Sequence, residues 1–168
     1  MKKILILLLL LLPFHCSSQA IDQWVPKKIA VTYAAGGKWN KNSVKVDRLA
    51  AGYWKALCHL YEVRGIKIDY TKIKSVKLVN KKEVGWVGLY DPYTRTIFLN
   101  AYVYESIVGV NHTTMMILIL AHEMGHSQGK NHSWDKTSIM YPAAVYIKQM
   151  LEDGILVSEL AMTPYTKG

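Results

Sequence analysis

From Lys28 onward the apolar positions follow two periods, and each period marks a kind of element. "KIAVTY" (28–33) alternates, as a half-buried strand does, and "GGKWN" after it reads as a loop. Asn42 or Ser43 can cap a helix over 44–63. Val46, Leu49, Ala50, Tyr53, Trp54, Leu57, Leu60 and Tyr61 recur there at helical spacing, and Gly65 stops it. "IKIDY" (66–70) and "SVKLVN" (75–80) return to strict alternation with β-branched residues. "VGWVGLY" and "TRTIFLN" flank "DPYT", whose Asp and Pro suit a turn, so this pair reads as a hairpin. Thr113 or Thr114 then caps a helix beginning "MMILILAHEMGHSQ", which ends at Gly129 in a left-handed conformation. A last helix is expected over 143–160, with Gly154 weakening its middle. This order implies one α+β domain, with helices on a small mixed sheet.

The first twenty residues follow neither period. Lys2 and Lys3 precede an unbroken apolar run from Ile4 to Leu12, Pro13 ends it, and Ser17 and Ser18 follow. That is the layout of an export signal, with an apolar core too short to span a bilayer as a mature helix. Cleavage after Ala20 would place small residues, Ser18 and Ala20, at the −3 and −1 positions. Alternatively Cys16 resembles the lipid-modified cysteine of a bacterial lipoprotein, although the bulky His15 precedes it. Both routes imply export to the cell envelope or medium, with residues 1–20 as the signal and 21–168 as the domain. No later run is long enough for a membrane span.

Charge and cysteine content narrow the classes further. The chain of 168 residues carries a formal charge of +9, but its lysines are scattered and no nucleic-acid motif accompanies them. A solvated basic surface on a monomer is the expectation. With Cys16 in the signal, Cys58 is alone inside a helix, so no internal disulfide can form.

Candidate chemistry gathers in one stretch, "HEMGHSQGKNHSWDKTSIMYP" (122–142). His122 and His126 lie four apart on one helical face and can aim at one point. A chain turn at Gly129 returns His132 as a third ligand, and Glu123 flanks the point without ligating it. Three imidazoles with an open fourth position suit a catalytic zinc, and the glutamate suits a general base. The pattern H-E-x-x-H-x-x-G-x-x-H would arise by chance in roughly one such chain in 10⁵.

That stretch resembles the long zinc signature of the metzincins, and most of all the matrixin (matrix-metalloprotease) branch. The resemblance implies a single metzincin-like catalytic domain: a small twisted mixed sheet, an active-site helix, a methionine turn and a C-terminal helix. It implies one catalytic zinc on His122, His126 and His132, and Glu123 as the catalytic base. Met140 would form a floor beneath the metal. An edge strand containing Gly85, Trp86, Val87, Gly88 and Leu89 would pair with an extended protein or peptide substrate. The implied function is a zinc metalloendopeptidase of extracellular or cell-envelope proteins; the alternative is an inactive zinc-containing peptide-binding module. A cysteine-switch propeptide and a second zinc series are not legible, nor is any calcium site. Where the family completes its specificity pocket with a tyrosine, this chain has Pro142-Ala143-Ala144.

Overall fold

The computed structural model describes residues 44–104, 112–143 and 145–166. Its elements, in chain order, are β1 (Lys45–Val46), α1 (Ala51–Val63), a 3-10 turn (Tyr70–Lys72), β2 (Ser75–Val79), β3 (Gly88–Asp91) and β4 (Thr96–Asn100). There follow α2 (Ala101–Tyr104), α3 (His112–Ser127), α4 (Val145–Glu152) and α5 (Val157–Thr166). The described strands lie in the order β1-β2-β4-β3, the first two pairs parallel and β3 antiparallel to β4. This is the expected mixed α+β arrangement.

Register places the apolar residues on one face of the sheet. Val76 pairs with Ile97, and Leu99 lies between Leu78 and Gly88. Val76, Ile97 and Leu99 are fully buried, while Leu89, on the opposite face beside Phe98, is 41% exposed. Against the buried face lies α3, which also contacts α1 and α5. Met115 through Ala121 are consequently all buried, which explains why this helix is apolar all round rather than amphipathic.

Several expectations are corrected. The strand at 28–33 and the caps at Asn42 and Ser43 lie outside the described residues. The helix expected from 44 begins at Ala51 instead. Lys45 and Asp47 donate their N–H groups to Lys74 (2.9 Å) and Val76 (2.8 Å), so these backbone groups are satisfied by the edge of β2. Leu49, counted as a core position, is 69% exposed for the same reason. "IKIDY" is not a strand. Asp69 exchanges backbone bonds with the Gln128 side-chain amide (2.8 and 3.3 Å), and its carboxylate accepts from Thr71 N–H (3.0 Å) to cap the 3-10 turn. A side chain therefore does what a neighbouring strand would have done.

The hairpin forms as expected, with Asp91 accepting from Tyr93 N–H (2.9 Å) and Thr94 Oγ1 (2.6 Å), but β3 starts only at Gly88. Thr113 and Thr114 lie inside α3 rather than capping it. The last helix is two helices. Gly154 takes φ +82°, and Ile155 N–H returns to Met150 C=O (3.1 Å), closing α4 with a left-handed cap before α5 starts.

Candidate metal centre

The C-terminal half of α3 presents His122 and His126 on one face, one turn apart, with their Nε2 atoms 3.0 Å from each other. The helix closes at Gly129, φ +83°, where Lys130 N–H bonds back to Gly125 C=O (3.0 Å) and Gly129 N–H to His126 C=O (2.9 Å). That reversal brings His132 Nε2 to 3.2 Å from His126 Nε2. The expected left-handed turn and the convergence of all three histidines are both present.

Hydrogen bonding decides what those nitrogens can do. His122 Nδ1 lies 2.6 Å from Ile139 C=O, and His126 Nδ1 lies 2.8 Å from Lys130 C=O. A carbonyl can only accept, so each Nδ1 carries the proton and each Nε2 presents a lone pair. Burial, the larger effect, outweighs the bond to Ile139 and holds the His122 pKa down at about 4; burial lowers His126 as well. Lone pairs facing each other at 3.0 Å with no proton between them repel, and a cation relieves that repulsion. Nitrogens on a tetrahedral zinc with bonds of about 2.05 Å stand about 3.3 Å apart. The three histidines, their ligand atoms within 4.8 Å of one another, could therefore hold a metal ion with little movement.

Met140 is buried under this helix. A Cβ on Gly125 would come within 2.6 Å of its Sδ, so the missing side chain at 125 lets the methionine approach. Its backbone is tied on both sides, with Ser133 N–H on its carbonyl (3.0 Å) and its own N–H on Ser138 Oγ (3.2 Å).

Glu123 is 5% exposed, and its carboxylate faces the cleft beside the imidazoles. Desolvation raises its pKa to about 7, against a smaller opposing effect of the hydrogen bond from Tyr90 N–H. Gly88 lies against it; a Cβ there would stand 2.6 Å from both Glu123 Oε1 and Ile119 Cγ2.

β3 is the outermost described strand on this side. Asn100 N–H donates to Val87 C=O (2.8 Å), which sets the alternation: Val87, Leu89 and Asp91 turn their backbone groups to β4, and Gly88 and Tyr90 turn theirs away from it. Gly85 through Tyr90 line one wall of a cavity of about 570 Å³ that also contains the three histidines and Glu123. The same cavity has apolar lining from Ile119, Ile139, Pro142, Ala143 and Ile147. Tyr141 stands there too, edge-on to Tyr146 with ring centres 4.6 Å apart. Ala144 lies outside the described residues.

All the site residues expected from sequence, other than Met140, thus line one cavity, and Met140 packs behind it. Tyr90, the last residue of the expected strand "VGWVGLY", continues the alternation of Gly88. Sequence reasoning missed Ile147, which arrives from α4, and the carbonyls of Ile139 and Lys130, which no side-chain pattern can reveal.

Searches of curated proteins and of solved structures return no match. A scan against protein-family models does, aligning residues 21–153 with the matrixin peptidases. That alignment spans most of the sequence and runs through the whole histidine cluster, so the chain belongs to the matrixin family of zinc-dependent metallopeptidases.

Proposed function

We propose that the protein is a zinc metalloendopeptidase that cleaves internal peptide bonds of extracellular or cell-envelope proteins. The observation that carries this reading is Glu123: a desolvated carboxyl group in the same cavity as three convergent imidazole nitrogens. A clasp for metal or peptide has no use for that group, whereas hydrolysis needs a base.

One zinc, held by His122, His126 and His132, would supply a Lewis acid for the scissile carbonyl and lower the pKa of a water. The chain's own residues do the rest. Neutral His122 and His126 keep their lone pairs available because their Nδ1 protons are committed to carbonyls. Glu123 takes the proton of the attacking water and delivers it to the leaving amine. The outward backbone groups of Gly88 pair with an extended substrate, which joins the sheet as a further strand. One substrate side chain then enters the cavity, whose apolar lining includes Ile119, Ile139 and Ile147.

The full chain, expressed and allowed to mature, should carry about one zinc, as a three-histidine site implies. It should cleave casein and stop when a chelator is added. Glu123→Gln should keep the zinc and lose cleavage. An inactive wild type that still binds zinc and peptide would favour the binding-module alternative; a fully active Glu123→Gln would remove the proposed mechanism.

A further inference from the structure

The face of α3 that carries the histidines is braced from the C-terminal helix through a single residue of the methionine turn. Ile139 is 1% exposed and has both backbone groups engaged. Its C=O accepts from His122 Nδ1–H (2.6 Å), and its N–H donates to Thr163 Oγ1 (2.7 Å). Thr163, 5% exposed, spends its own hydroxyl proton on Leu160 C=O, one turn back in α5 (2.8 Å). With that proton committed, the hydroxyl faces Ile139 as an acceptor.

The brace is anchored at its far end. Tyr61 O–H donates to Ala161 C=O (2.8 Å) in a buried bond that ties α5 to α1. Pro164, next to Thr163, comes close enough to α3 that a Cβ on Gly125 would lie 3.3 Å from its ring. The helix that carries Thr163 is therefore held against α1 and α3, and the peptide of Ile139 bonds to the Thr163 hydroxyl.

We infer that Thr163 is a positioning residue for the metal centre: through Ile139 it fixes the carbonyl that sets the tautomer and aim of the His122 imidazole. Without the acceptor, Ile139 N–H is a buried donor with no partner, and the turn must shift to satisfy it. Any such shift moves the carbonyl on which His122 depends. The inference rests on the reading that the three histidines hold zinc, and it is independent of whether the protein is a protease.

Zinc affinity is the readout that separates positioning from simple stabilisation. Loss of an outer partner of a metal-ligating histidine costs about 10- to 100-fold in metal affinity. The full chain would be compared with Thr163→Val, Thr163→Ser and Thr166→Val, by competition with a chromophoric chelator below the melting temperature of each metal-free variant. Thr166 is the control, since among the described residues its hydroxyl bonds Met162 C=O in the same helix (3.3 Å) and does not reach the Ile139 peptide. Thr163→Val should bind zinc at least about 10-fold more weakly. Thr163→Ser, which keeps the hydroxyl, and Thr166→Val should stay within about twofold of the parent. If valine does not fold, Thr163→Cys replaces it with a weaker acceptor of similar size, and the same weakening is expected. A folded Thr163→Val or Thr163→Cys with parental zinc affinity would overturn the inference, as would a serine variant as weak as valine. Weakened zinc binding in a chain that never cleaves casein would leave the brace standing and remove the protease.

Discussion

Replacing Glu123 by glutamine should stabilise the metal-free protein at pH 8 and change it far less at pH 5. The carboxylate is buried beside Gly88 and Ile119, and desolvation raises its pKa from 4.5 to about 7. In the unfolded chain it ionises near the ordinary value. Between these two pKa values the folded state keeps a proton that the unfolded state has lost. Stability therefore falls as pH rises through that window and levels off above it. The difference of pKa corresponds to about 3 kcal/mol at pH 8 and less than about 1 kcal/mol at pH 5. Glutamine has nothing to ionise and should recover that amount, a rise of roughly 6–12 °C in melting temperature for a domain this size. His122, whose pKa is held near 4, penalises the fold as pH drops below 6.5, but it does so in both proteins and cancels from the difference. Urea unfolding of chelator-treated wild type and Glu123→Gln at the two pH values measures the gap directly. Equal gaps at pH 5 and pH 8, or a glutamine variant less stable at pH 8, would refute the claim that burial of this charge strains the apo fold. Zinc should narrow the gap, because a neighbouring cation favours the carboxylate.

Gly88→Val should lower casein cleavage on the order of 10²-fold while zinc affinity stays within about twofold, since the new side chain occupies the seat of the Glu123 carboxylate. Steady-state kinetics beside the chelator competition checks this, and unchanged cleavage would show that the edge strand does not set that seat. Mass spectrometry of the mature N-terminus should find either a chain beginning at Ile21 or a lipid-modified Cys16; an intact Met1 would contradict the export reading.

The candidate metal centre was legible in the chain because its geometry is local. Four residues make one helical turn, so His122 and His126 share a face wherever the helix lies, and Gly129 announces the reversal that returns His132. The hairpin at Asp91 was legible for a similar reason, its turn being closed by its own side chains. Where partners are distant, periodicity failed. Residues 45–47 carry a helical pattern yet bond to β2, and "IKIDY" carries a strand pattern yet bonds to Gln128. Both segments satisfy backbone groups through contacts that no spacing along the chain encodes.

Sequence alone thus marked the three-histidine cluster, the glutamate beside it and the α+β class, each a matter of spacing within one element or of the order of elements. Only the tertiary structure decided what surrounds them. It brought Gly88 of β3 against Glu123, Ile147 of α4 into the cavity, and Thr163 of α5 onto the residue whose carbonyl bonds His122. Burial and hydrogen bonding depend on which elements pack together, and they turn a histidine motif into neutral, aimed lone pairs beside a desolvated carboxylate.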